Sequence, residues 1–163
     1  MKEILVQLST YNTWANGQLL QVILSLPEEK QNQKLTGSFE SLFQTVLHML
    51  SAESIWWQRM KLQERIIIPA ETFRGTMKEL AEELLRLDRQ WQEWVFASQE
   101  HVFGHVFQYK NLKREQFKQP LFQMLLHLFN HNTYHRGQIV TQLRQVGADR
   151  IPPTDFIVWS RKK

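Results

Sequence analysis

The sequence predicts an all-α protein, a four-helix bundle with a short strand-like insert before its last helix, and three observations carry that expectation. Apolar residues recur at three- and four-residue spacing along four separate segments. Helix start and stop residues fall at the ends of those segments. The chain has 163 residues, 42% of them hydrophobic, enough for one core and one domain over 1–163.

The first segment runs from about Lys2 to Leu26. It buries Ile4, Leu5, Leu8, Trp14, Ala15, Leu19, Val22, Ile23 and Leu26, and stops at Pro27, whose ring disfavours a helical conformation in the preceding residue. The second begins after Gly37 with Ser38 as N-cap and carries Leu42, Phe43, Val46, Leu50, Ile55 and Trp56 to about Leu62. The third opens on Thr76, three residues before Glu79 as a capping box requires, and continues through Leu80, Leu84, Leu87, Trp91, Trp94 and Val95. The fourth starts near Pro120, passes Leu121, Leu125, Leu128, Phe129, Ile139, Val140 and Leu143, and stops at Gly147.

Between the third and fourth segments, Val102, Phe103, Val106, Phe107 and Tyr109 favour strand, so a short irregular hairpin is expected within 101–118. The link from Gln63 to Arg74, with Ile66, Ile67, Ile68 and Pro69, is extended; at up to roughly 3.3 Å per residue it can run the length of a helix, which allows segments two and three to be parallel. The tail after Gly147, with Phe156, Ile157, Val158 and Trp159, is apolar enough to pack on the bundle.

Composition excludes several classes. Without cysteine there is no disulfide framework, no thiolate nucleophile and no Cys-type metal site, so an ion must be held by His, Asp or Glu. The opening residues lack the apolar core of a signal peptide and no run is long enough to span a bilayer, so a cytoplasmic protein is expected. The formal charge of +4 raises nucleic acid as a partner. The basic residues are scattered, however: the only local cluster is the tail Arg161, Lys162, Lys163, and the group Lys110, Lys113, Arg114, Lys118 is interrupted by Glu115 and neutral residues, so no specific nucleic-acid partner is expected. The six tryptophans are read as core and cleft lining.

Chemistry concentrates in His127-Leu-Phe-Asn-His131-Asn-Thr-Tyr-His135-Arg136-Gly137-Gln138. Residues four apart share a helix face about 6 Å apart, so His131 and His135 can direct nitrogens at one ion. A third ligand must come from elsewhere, and His48 is the candidate: it is the only histidine of segment two, on a face of Ser41, Thr45, Ala52 and Ile55 that suits a sheltered cleft at the bundle margin. His127 lies on the less apolar edge and is read as a supporting or surface residue, with His48, His127 and His131 as the alternative set. His101 and His105 read as surface residues. Gly137 is expected to allow close helix packing, and Arg136 and Gln138 either to orient the site or a substrate carboxylate or to make surface or interhelical hydrogen bonds. Glu53, about 140° around the helix from His48, is poorly placed as a base.

The string His131-Asn-Thr-Tyr-His135-Arg136-Gly137-Gln138-Ile139, with Leu47-His48, Glu53, Trp56-Trp57 and the opening Tyr11-Asn12-Thr13-Trp14-Ala15-Asn16, closely resembles the DinB/YfiT-like family of metal-binding four-helix bundles. Asp155-Phe156 in a Pro-containing tail adds to the likeness, which covers nearly the whole chain. The resemblance implies an up-down-down-up bundle, a three-histidine site at His48, His131 and His135, one divalent ion such as zinc or nickel, and a homodimer. It further implies a metal-dependent transferase acting on a low-molecular-weight thiol and a small electrophile. A non-catalytic, stress-associated metal-binding protein and a metal-dependent hydrolase are the alternatives.

Overall fold

The computed structural model describes residues 1–111 and 113–161; Lys162 and Lys163 of the basic tail lie outside them. Four long helices carry the fold: α1 (Lys2–Ser25), α3 (Leu42–Met60), α5 (Met77–Ala97) and α6 (Leu121–Gln145). Short helices α2 (Glu28–Asn32) and α4 (Pro69–Thr72) lie in the connections, and α7 (Phe156–Ser160) ends the described chain. A 3₁₀ turn (Glu100–Gly104) leads into an antiparallel hairpin of β1 (Val106–Lys110) and β2 (Gln116–Pro120), Val106 opposite Pro120 and Lys110 opposite Gln116. The bundle with a small two-stranded insert is therefore as the sequence predicts.

The helix ends follow local chemistry. Thr76 accepts from the Glu79 amide while the Glu79 carboxylate accepts from the Thr76 amide, a complete capping box. At the end of α6, the Ala148 amide donates to Leu143 O at 2.9 Å and the Gly147 amide to Arg144 O at 3.1 Å; this Schellman geometry needs a left-handed residue, and Gly147 supplies it at φ +76°. The second long helix differs from expectation: Ser41, not Ser38, is its N-cap, accepting from the Gln44 amide at 3.2 Å. Residues 36–41 are bent, and the Leu35 amide donates to Glu40 O, so the helix starts three residues later than predicted and ends at Met60 instead of Leu62.

Side-chain pairings give the helix directions. Thr45 meets Gln142 and Glu53 meets Asn132, so α3 and α6 are antiparallel. Asn12 and Asn16 reach Asp88 while the Lys2 amide reaches Glu100, so α1 and α5 are antiparallel. Trp57 packs on Trp91 and Phe43 lies near Phe73, just before α5, so α3 and α5 run parallel in an up-down-down-up bundle. The connection retraces α3: Ile67 is tied to Gln58, the Ala70 amide to Ser51 Oγ, and Phe73 stacks near Phe43.

Between the helices Leu5, Leu19, Ile23, Leu42, Leu50, Leu80, Leu84, Trp91 and Leu125 form the buried core. Each such burial contributes about 1.5–3 kcal/mol before entropy. The tail packs as predicted through Trp159, which joins Tyr11 and Ala15, while Phe156 and Ile157 stay exposed. No helix among the described residues is long and apolar enough to cross a membrane.

Candidate metal centre

α3 and α6 bring His48, His131 and His135 together at their shared margin. The Nε2 of His131 lies 3.2 Å from that of His48 and 3.0 Å from that of His135. The three candidate ligand atoms all fall within 4.8 Å of one another. Donors about 2.0–2.1 Å from an ion at tetrahedral angles stand roughly 3.3 Å apart, so the spacing fits one ion shared by three imidazoles. His135 donates from Nδ1 to Gln138 Oε1 at 2.7 Å, which leaves its Nε2 lone pair facing the other two rings. Gln138 is itself tied to Ser38 Oγ at 3.3 Å.

The electrostatics favour neutral rings. Burial, followed by the neighbouring histidines His135, His48 and His127, pushes His131 down to about 3. Burial and then His135 lower His48; burial lowers His135 against the opposing Gln138 hydrogen bond. Three converging imidazole nitrogens with depressed proton affinity suit a cation heavier than a proton. Phe39 stacks at 4.6 Å on His48 and meets His135 edge-on at 5.6 Å, closing one side. Beyond Phe39 and Gln138 a cavity of about 400 Å³ is lined by neutral polar groups including Ser38, Tyr134 and Thr141.

The other sequence candidates fall elsewhere. His127 is exposed, its ring 5.8 Å from His131 and 5.6 Å from Trp56, outside the set of three. His101 and His105 are exposed, as expected. Gly137 packs against nothing within 4 Å of where a Cβ would stand, so its expected role in close helix approach is wrong. It instead borders the cavity beside Gln138.

Arg136 is neither at the surface nor beside the three histidines. Only 3% exposed, it donates from Nη1 to Asn12 Oδ1 at 2.8 Å and Asn16 Oδ1 at 3.0 Å, and from Nη2 to Thr133 Oγ1 at 2.7 Å. Both asparagines pass their amide N–H groups on to Asp88, and Tyr11 lies under the guanidinium at 5.1 Å. Glu53, fully buried, accepts from Asn132 and lies against Asp88. Burial, then the charge and hydrogen bond of Asp88, raise Glu53 well above the usual carboxylate range. Burial raises Asp88 too, but the asparagine hydrogen bonds and the Arg136 charge oppose that rise, so Glu53 is the one that holds a proton more readily. The sequence reading missed this cluster, although Asp88 stands among Leu84, Leu87, Trp91 and Val95 on an apolar stripe, where a charge requires a buried partner.

The fold and the site together define a class: a helical bundle with a three-histidine cluster able to hold a metal ion. The DinB family model matches residues 1–161, and the chain belongs to the DinB family. It is 27% identical over 163 residues to Protein DinB of Bacillus subtilis (strain 168), covering 96% of this chain and 93% of that one. A crystal structure of a DinB-like protein from Bacillus cereus ATCC 10987 superposes with a TM-score of 0.72 at 20% identity, covering 93% and 95% of the two chains, which shows the shared fold.

Proposed function

We propose that the protein binds one divalent ion, zinc or nickel, through the Nε2 atoms of His48, His131 and His135, and transfers a low-molecular-weight thiol to a small electrophile. The observation that carries this reading is the donor set: three neutral imidazoles converge, and no fourth Cys, Asp or Glu joins them among the described residues. Structural zinc is ordinarily closed by four protein ligands, whereas three leave a position for a small molecule. When bound, such an ion lowers the pKa of a thiol or water at its open position.

The chain's own groups have separate tasks. Gln138 fixes the His135 ring, and Phe39 shields the His48 and His135 rings from water. No carboxylate serves as a base for water: Glu53 is locked in the core cluster, which favours thiol transfer over hydrolysis. The test is metal analysis of untagged protein, followed by thiol consumption with a panel of electrophiles before and after chelation. Turnover lost on chelation and restored by one ion is the expected result. Stoichiometric metal with no turnover across the panel would replace this reading with a non-catalytic metal-binding protein.

A further inference from the structure

Arg59 stands apart from the other charged groups of the molecule. Its guanidinium lies over Trp56 at 4.8 Å and over Tyr109 at 5.4 Å. The side chain is half-buried, yet its Nε is shielded from solvent with no hydrogen-bond partner. The ion pairs among the described residues join Met1, Lys34, Lys78 and Arg86 to glutamates and leave Arg59 out. An aromatic sandwich offsets part of the cost of burying a cation and holds it rigid, but it satisfies no N–H donor. Arg59 opens on a cavity of about 380 Å³ shared with Lys110, Gln63 and Gln108; Glu64 is the one acid on its lining.

Its place relative to the histidines is the second observation. Residues 48 and 59 are eleven apart on α3, about 20° apart in azimuth and roughly 16 Å along the axis. Arg59 folds back over Trp56, whose position on α3 is about 12 Å along the axis from that of His48. A continuous wall joins the two points: His131 to His127 at 5.8 Å, His127 to Trp56 at 5.6 Å, and Trp56 to the guanidinium. Tyr109 completes it from the hairpin, edge-on to Trp56 at 4.9 Å and fixed by its hydroxyl donating to Gln119 Oε1.

We propose that Arg59 is an anion-recognition residue, and that the protein selects ligands carrying a carboxylate on the order of 10 Å from the group that meets the three histidines. The inference rests on the thiol reading for what occupies the histidine end and makes that thiol an acidic molecule of peptide size. Guanidinium recognition of a carboxylate is planar and bidentate, so lysine is a partial substitute and glutamine a poor one.

Calorimetric titration of the zinc-loaded protein with glutathione, glutathione diethyl ester and S-methylglutathione tests this. Wild type is expected to bind glutathione at least tenfold more tightly than the ester; Arg59→Gln abolishes the preference and Arg59→Lys keeps part of it. Circular dichroism melts show that the variants are folded. Equal affinities of wild type and Arg59→Gln for glutathione, equal affinities of wild type for acid and ester, or no binding at millimolar concentration would overturn the inference. The two readings separate cleanly. Zinc-dependent glutathione binding indifferent to Arg59 leaves thiol transfer standing and removes the anion site. Arg59-dependent binding that S-methylglutathione reproduces and zinc does not improve keeps the anion site and removes the thiol reading.

Discussion

Along α6, adjacent residues belong to two opposite kinds of polar cluster. His131 and His135 face the cleft with His48, whereas Asn132 and Arg136, each one step and 100° further round the helix, face the core with Glu53, Asp88, Asn12 and Asn16. In the core cluster donors meet acceptors: Arg136 and Asp88 are bridged twice by asparagine side chains, and Glu53 accepts from Asn132. Its shortfalls among the described residues are Glu53 Oε2 and Asn132 Oδ1, which find no hydrogen-bond partner. In the cleft, imidazole nitrogens meet only one another, and His131 Nδ1 has no partner. The comparison teaches that burial of polar groups marks two different purposes, and that the match or mismatch of donors and acceptors separates them.

The largest effects should divide the clusters completely. His135→Ala should lose metal on dialysis, because two imidazoles remain, while metal-free stability falls little; metal content by atomic absorption and urea unfolding check the two halves. Arg136→Met should do the reverse in the metal-free protein. It strands the Asp88 charge at 2% exposure and should cost about 3–5 kcal/mol in urea unfolding. Unchanged metal-free stability in Arg136→Met would show that the core cluster is not structural.

The pH dependence of the metal-free protein offers a contrast in sign. The histidines have folded pKa values below the ordinary 6.5, so the unfolded chain binds more protons below that point. Their contribution is present above 6.5 and is lost as pH falls toward the value of about 3 for His131. Glu53 is raised, so its contribution is full below its ordinary 4.5 and is lost as pH rises through its folded value. Urea unfolding across pH should show losses at both ends. Glu53→Gln, which resembles the protonated carboxyl, should remove the alkaline loss and leave the acid one.

A smaller effect is expected at Gln138, which touches the site through His135 Nδ1 alone. Gln138→Ala should leave the three nitrogens in place and lower metal affinity by about 10- to 100-fold, as loss of an orienting partner does. Competition with a chelator of known affinity measures it. A change under twofold would mean that packing against Phe39 and Tyr134 already fixes the ring.

The two clusters were also unequally legible in the sequence. The histidines could be read because i, i+4 spacing on one helix is local information, and the helices themselves because apolar period and caps such as Thr76 with Glu79 are local too. The core cluster depends on partners far apart, Asn12 with Arg136 and Asn16 with Asp88, and single polar residues on a helix read as solvent-facing until their partner is known. Asp88 and Glu53 were nevertheless detectable as charges on apolar stripes. The Ser38 start failed for a different reason. Two serines three residues apart can each cap, and the Leu35 to Glu40 turn decides for Ser41. Gly137 misled because helix packing and an open cavity wall both tolerate glycine.

The smallest expected effect lies at the edge between the site and the wall leading to Arg59. His127 shares its helix face with His131 in the same i, i+4 relation that joins His131 to His135, so spacing alone allows either neighbour as the second ligand. Burial distinguishes them: His135 is 4% exposed and pinned by Gln138, whereas His127 is exposed and faces the Trp56 ring edge-on. A ligand must hold its ring still, and only His135 has the partner that does so. His127→Ala should therefore retain stoichiometric metal, with affinity unchanged or lowered by no more than about tenfold. The competition assay used for Gln138 checks it. Metal lost in His127→Ala and kept in His135→Ala would exchange their assignments and place the ion one turn nearer to Arg59.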